Sequence, residues 1–468
     1  MDQESQVVII GGGLSGFSAA LEVAEAGGEA IVIEKMAETG GSAVLSGGCM
    51  AFAGTDLQKA LDIEDSDELL FKDLREVGQF DNDESVVRAY VDNQRSTYEW
   101  LRGHGVRFSP AIEASSGMSV PRVHTVDPAE MIRCLEAKCR ETGKVRILMS
   151  TAAKRLLRDE QTGRVEGVLV EKDGKEFKVL ARDGVLLGSG GFTRNREMVH
   201  QFVPLYDNAV FVSGEGNVGD GLKMAWALGA SFRDMIHIKG TYGKHPTDTS
   251  NNHCCLFVYK GAIAVNQDGK RYVDESISYK LLADACMRQE YGATYQILDQ
   301  AIFEQGENQC RILDFERRFE DGLLMQADTL DELAKMIEIP ADVLKATVDR
   351  YNEFVSAGHD EDFGREHLVH RHGELRRIEE GPFYAYPSTA CVYTTYCGLC
   401  VDDEMRVQDV FGNWIEGLYA MGEVVGGFHG AAYMTGSALG KATIFGRIAG
   451  RSALADGRVK TNASLQAV

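Results

Sequence analysis

The segment "QVVIIGGGLSGFSAALEVAEAGGEAIVIEKMAETGGS", residues 6–42, constrains what this chain can fold into more than any other. A short apolar strand, Val7 to Ile10, runs into Gly11, Gly13 and Gly16 in GxGxxG spacing, and an alanine-rich helix comes next. The glycines permit a tight turn, let backbone amides reach a pyrophosphate at the helix N-terminus, and let helix and strand pack closely. A second strand, "EAIVIE", ends in Glu34, placed to accept hydrogen bonds from a ribose. A strand, a glycine turn, a helix, a strand and a terminal acid in this order predict an α/β, Rossmann-like dinucleotide-binding domain.

The residues after Glu34 decide which dinucleotide. A nicotinamide domain has no need of the continuation "EKMAETGGSAVLSGG". Lys35, then Gly40, Gly41 and Ser42, then Ser46, Gly47 and Gly48, form a loop suited to wrapping a longer cofactor, which points to FAD. Two later segments agree. "DGVLLGSGGF", residues 183–192, is a buried strand ending in small residues that include Gly190 and Gly191. "GLYAMGEVVGG", residues 417–427, sets a strand against a glycine turn carrying Glu423, as expected if the chain leaves the FAD domain and re-enters it.

The formal net charge of −22 argues against nucleic acid and against anionic membrane surfaces, since both draw their binding free energy from Lys and Arg. The N-terminus "MDQESQ" is acidic, "VVII" is too short for a signal core, and no stretch approaches the roughly 20 apolar residues of a membrane span. A cytoplasmic location without membrane insertion is therefore expected. Ten scattered cysteines fit a reducing compartment. Cys397 and Cys400 form a CxxC, but "CGLCV" reads as a strand, so structural thiols are expected there, and no metal site.

With 468 residues, more than one packed unit is expected. Residues 60–105 alternate acidic and apolar positions at helical spacing and predict two surface helices. Residues 145–190 read as short strands with a turn at "DEQTGR", and "GNVGDGLKMAWALGA" as a glycine turn opening a helix at Asp220. From about 239 to 394 aromatics cluster and two helical stretches occur, "DTLDELAKMIEI" and "PADVLKATVDRYNEFVSAG", with "GHDEDFGR" as a solvated loop. We expect an FAD-binding domain from 1–238 and 395–468, with an inserted α+β capping domain at 239–394.

With these pieces placed, the chain resembles the soluble fumarate reductase and 3-ketosteroid dehydrogenase flavoprotein superfamily over nearly its whole length. The matching words are "IIGGGLSGFSAAL", "GSGGF", "GDGLKMA", "HPT", "GKRYVDE", "TVDRYN", "GPFYAYP" and "GLYAMGEVVGGFHGA". The resemblance implies a discontinuous FAD domain, a capping domain, and an active site between them at the flavin ring. A small-molecule substrate is expected there and, because nothing in the sequence names a dedicated NAD(P)H site, a separate electron donor or acceptor. Fumarate reductases of this family hold a dicarboxylate with two arginines and histidines. The matching arginine positions here are Tyr279, in "ESISYK", and Tyr433, in "HGAAYMTG"; the histidine pair matches Tyr393 and Thr394, while His245 of "HPT" is retained. Neutral phenols in place of cations disfavour a dicarboxylate and suit a neutral carbonyl. In the delta-4 (5-alpha) 3-ketosteroid branch both words carry tyrosine, and Thr435 here replaces a serine.

The implied chemistry is hydride transfer between flavin and the carbon β to a carbonyl, with a tyrosine moving the proton at the α carbon. Tyr279, Tyr433 and Thr435 are the candidate catalytic residues. His245, His429 and Lys280 are candidate substrate neighbours. Ser437, Ala438 and Leu439 open a helix whose N-terminal dipole would favour negative charge on reduced flavin. A carboxylate oxidoreductase of the tricarballylate type, with Lys280, His245 and Arg271 replacing the arginines, is the alternative, and a non-catalytic FAD-binding redox protein the third. Family members with covalent flavin use a histidine after Glu34; none occurs between Met1 and His104, so non-covalent FAD is expected.

Overall fold

The structure, a computed structural model, describes residues 2–207, 209–248, 254–308 and 310–466, with side chains as far as residue 457. Its first sheet begins as the sequence predicts. Strand β1 (Gln3–Ile10) leads through the glycine turn into helix α1 (Leu14–Glu25) and strand β2 (Ala30–Ile33). Strands β3 (Val145–Leu148), β4 (Lys175–Leu187) and β5 (Trp414–Ala420) complete a parallel run in the order β5-β4-β1-β2-β3. Helix α2 (Ser437–Gln466) packs against α1 and β4. Val7, Val8 and Ile9 are fully buried, as strands covered on both faces require.

Register brings the strand ends together. Ile10 pairs with Ile33 and Leu187, Ile33 with Leu148, and Leu187 with Ala420. Every parallel strand therefore stops at one level, and the loops beyond them converge on one edge of the sheet, where open α/β sheets bind ligands.

A second sheet is organised around the 13-residue strand Phe383–Thr395. It pairs antiparallel with Ile238–Lys244, Ala293–Asp299 and Met325–Ala327, and parallel with Val210–Phe211. The two surface helices expected before residue 105 are Asp67–Val77 and Glu84–Gly103, capped by Ser66 and Asp83 side chains. A shorter helix, Asp56–Ala60, precedes them. The two later helical stretches contain Leu330–Met336 and Ala341–Ala357.

Two expectations need correction. "GHDEDFGR" is not a solvated loop throughout, because Asp360 and Arg365 are buried. Arg271 donates to Glu275 at 2.7 Å and to Asp360 at 2.8 Å, and Arg365 approaches the same Glu275 at 3.4 Å, so the loop is drawn in by charge pairing. In "CGLCV" only Gly398–Leu399 is strand; Cys397 is fully buried and Cys400 half-buried. No helix among the described residues is long and apolar enough to cross a membrane.

Candidate active site

Two adjoining cavities open where the strand ends converge. The larger, about 530 Å³, is lined by Gly11, Gly13, Glu34, Lys35, Gly40, Gly41, Ser42, Gly190, Asp220 and Glu423. The smaller, about 170 Å³, is lined by Ser46, Gly47, Tyr279, His429, Tyr433, Thr435, Ala438 and Leu439. Ser42, Ala43, Leu45, Glu423 and Ala442 line both, so the two form one elongated site.

The larger cavity is shaped by backbone. Gly11 has φ +113°, and a Cβ there would strike the Gly188 carbonyl; a Cβ on Gly16 would strike the Gly11 carbonyl. Gly16 therefore packs helix to strand behind the cavity wall instead of lining it. Glu34 accepts from the Gly12 and Met36 amides, both at 2.8 Å, which fixes its carboxylate at the end of β2. Lys35 and Asp220 pair at 2.5 Å across the cavity. The N-terminus of α1 has no side-chain cap and opens onto the cavity, and the buried Ser189 hydroxyl on its wall has no hydrogen-bond partner. An uncapped helix end, a side-chain-free glycine turn and an orphaned hydroxyl fit the pyrophosphate and ribose of a dinucleotide.

Of the other positions singled out, Gly48 packs on the Val126 carbonyl, and Gly191 lies against Thr395 and Glu423. Ser437 donates to the Met434 carbonyl at 2.7 Å. None of these three is among the lining residues. Glu423 is held by the Asn217 side chain at 2.7 Å and the Thr395 amide at 2.9 Å, and burial raises its pKa.

The smaller cavity is shaped by side chains. Tyr279 comes from the first turn of the helix Tyr279–Met287, and Tyr433 from the loop before α2. Their rings lie 5.5 Å apart at 50°. Tyr396 stacks on Tyr433 at 5.8 Å and 10°, and His429 stands 5.3 Å from the same ring. Burial, with Tyr433 next, holds the Tyr279 phenol well above its ordinary pKa, while Thr435 offsets part of this by hydrogen bonding. Thr435 itself donates to Ser115 at 2.9 Å rather than capping α2. Burial, then Lys441 and Lys239, hold His429 well below its ordinary pKa, so this imidazole is neutral.

Two candidates stand apart. Lys280 pairs with Asp284 at 2.6 Å and His245 packs edge-on to Tyr386, and neither is among the residues lining the cavities. Arg271 is likewise committed to Glu275 and Asp360. Sequence reasoning missed Asn217, Arg311 and Lys441, and above all Lys239. Lys239 Nζ lies 3.8 Å over the Tyr433 ring and 5.5 Å from that of Tyr279. Asn217 and Lys441 could have been flagged by the words "GNVGDG" and "SALGK"; Lys239 in "HIKGTYGK" carries no such signal.

A family model described as "FAD binding domain" matches residues 6–439. A fumarate reductase (cytochrome) from Shewanella frigidimarina is 33% identical over 455 residues, covering 96% of this chain and 76% of that protein. A vinyl phenol reductase from Lactiplantibacillus plantarum is 28% identical, with 96% of each chain covered. Among solved structures, the 3-ketosteroid-Δ4-(5α)-dehydrogenase of Rhodococcus jostii RHA1 superposes with a TM-score of 0.79 at 25% identity, covering 96% of this chain and 97% of that one. The glycine-walled cavity and these matches converge: the chain belongs to the FAD binding domain family, within the fumarate reductase and 3-ketosteroid dehydrogenase superfamily, and is an FAD-dependent oxidoreductase acting on carbon–carbon double bonds.

Proposed function

We propose that the enzyme works on a carbon–carbon bond conjugated with a neutral carbonyl, reducing an enone or desaturating the ketone, with a 3-ketosteroid-like substrate. FAD, held non-covalently by the glycine turn, Glu34 and the Ser42 loop, supplies the hydride chemistry when bound. The observation that carries the proposal is the facing phenol pair, Tyr279 and Tyr433, on the wall of the smaller cavity. A buried phenol kept protonated at neutral pH is a proton donor to the α carbon in the reducing direction and a hydrogen-bond donor to a carbonyl oxygen. Leu45, Leu256 and Ile312 give the cavity apolar walls suited to a hydrocarbon skeleton. The basic groups that a carboxylate substrate would need in place of the arginines, Lys280 and Arg271, are spent on buried carboxylates.

A second reading, an unsaturated carboxylate, is favoured by Lys239 and Arg311, both on the cavity wall, and by the names of relatives such as fumarate reductase and urocanate reductase. Under either reading the capping part is residues 239–394, electrons pass to or from a separate redox partner, and a reducing cytoplasm suits the ten free cysteines.

Anaerobic titration of the FAD-loaded protein with a saturated 3-ketosteroid, and separately with tricarballylate, tests the choice. Bleaching of the oxidised flavin band by the steroid, reduced about 10²- to 10⁴-fold in rate by Tyr279→Phe with FAD retained, is the expected result. Bleaching by tricarballylate alone rejects the neutral-carbonyl proposal. Release of all yellow colour into the supernatant on acid precipitation is expected for non-covalent FAD.

A further inference from the structure

We propose that Lys239 is a positioning residue that divides the labour of the two phenols, holding on Tyr433 the negative charge left when the pair gives a proton to substrate. This rests on the reading of Tyr279 and Tyr433 as one acid–base pair. In the step, the electron pair left at the α carbon when the β carbon receives hydride takes the Tyr279 proton as that O–H bond breaks; the Tyr433 O–H proton then passes to the Tyr279 oxygen, so Tyr279 is neutral again and the charge rests on Tyr433.

Three observations converge on Tyr433. The Lys239 ammonium lies 3.8 Å over its ring, closer than to Tyr279 at 5.5 Å or Tyr393 at 5.9 Å. Among the described residues Lys239 makes no ion pair with a carboxylate, and it stands on the wall of the smaller cavity. The Ala438 amide donates to the Tyr433 hydroxyl oxygen at 3.3 Å, and Ala438 lies in the first turn of the 30-residue helix α2, where unsatisfied amides favour negative charge. Tyr279 has neither the closer cation nor an amide donor of this kind. An anionic Tyr433 would thus be met by an ammonium, an amide and a helix end, the arrangement expected of a preorganised oxyanion site.

The other groups facing the pair do not supply this charge. Tyr396 stacks on Tyr433, Tyr259 faces Tyr279 at 6.5 Å, and the buried Tyr90 feels Tyr433 electrostatically. All are phenols that burial keeps protonated. His429 is neutral. Elsewhere on the cavity wall, Glu423 is held by Asn217 and Thr395, Lys441 donates to the Val425 carbonyl, Arg311 reaches the Ser46 carbonyl, and Cys49 and Cys254 are free cysteines, the pKa of Cys49 lowered chiefly by its hydrogen bond with Cys310 and in smaller part by Lys239.

The test uses FAD-loaded protein labelled with ¹³Cζ-tyrosine, the Tyr433 and Tyr279 resonances being assigned with the phenylalanine variants. Of the two phenols, Tyr433 is expected to lose its proton before Tyr279, which burial holds well above its ordinary range. In Lys239→Met its midpoint should rise by about one pH unit or more, a tenfold change, whereas Lys239→Arg should hold it. A wild-type Tyr279 that ionises before Tyr433, or a Tyr433 midpoint unmoved in Lys239→Met, overturns the inference. So does a Lys239→Met enzyme whose only change is lost binding of cinnamate, a probe carboxylate, because Lys239 would then anchor substrate. None of these readouts depends on turnover of a steroid. The pair itself is tested separately by Tyr279→Phe, whose full activity would remove the underlying reading.

Discussion

The two adjoining cavities are built by opposite means. The nucleotide-shaped cavity is defined by what is missing, with glycines at 11, 13, 40, 41 and 190 letting backbone form the wall, and with side chains such as Glu34 pinned by local amides. The smaller cavity is defined by what is present, the rings of Tyr279, Tyr393, His429 and Tyr433 and the Lys239 ammonium, brought together from a helix, two strands of the second sheet and the loop before α2. The first kind of wall tolerates almost no added atom. The second can exchange one side chain for another and change chemistry without changing fold, which is why the proposed function places substrate choice there.

The sharpest way to break this contrast is Gly11→Ala. At φ +113°, with the Gly188 carbonyl in the path of a Cβ, both backbone strain and a clash with unyielding main chain result. We expect a loss of about 4 kcal/mol or more and a protein purified without flavin, read from the ratio of visible to ultraviolet absorbance and from thermal unfolding. Wild-type flavin content in this variant would mean that the glycine wall is not what shapes the cavity.

Lys441 tests the seam between the two regions. It is fully buried, donates to the Val425 carbonyl at 2.5 Å, and burial pushes its ammonium down to about 8, with Glu423 opposing the shift. Its folded pKa lies below the unfolded value near 10.5, so the unfolded chain binds more protons between these values. The cost of holding the cation is fully present below pH 8 and is relieved as pH rises towards 10.5, a gain of about 3 kcal/mol from this group. Denaturant unfolding of wild type and Lys441→Met at both ends of that window should show the rise in the first and its absence in the second. Equal pH slopes would place Lys441 in contact with water.

How far the sequence is legible respects the same division. The β1–α1–β2 unit, the Ser42 loop and Glu423 could be read because each meets a local backbone need that a fixed spacing records. Tyr279 and Tyr433 were legible only through family words. Lys239 was not legible, because nothing in "HIKGTYGK" says that residue 239 will stand over a ring 194 positions later; strand pairing of Lys239 with Thr394 brings it there. Lys280 and His245 illustrate the reverse case. A basic residue beside a family motif looks available in one dimension, yet in the fold Lys280 has an aspartate one helical turn away.

The smallest effect is expected at that lysine. Lys280→Met should leave the apparent affinity for any turned-over substrate within about twofold, because the ammonium faces Asp284 at 2.6 Å and not the cavity. Its consequence is structural. Among the described residues Asp284 then keeps the Tyr206 hydroxyl, at 2.5 Å, as the donor to a mostly buried carboxylate, and we expect a loss of about 2 kcal/mol, measured by denaturant unfolding. Lys280→Met with Asp284→Asn should recover part of it, since the uncompensated charge is then gone. A large rise in KM with stability unchanged would reverse the assignment, moving Lys280 into the substrate site and making the carboxylate reading the stronger one.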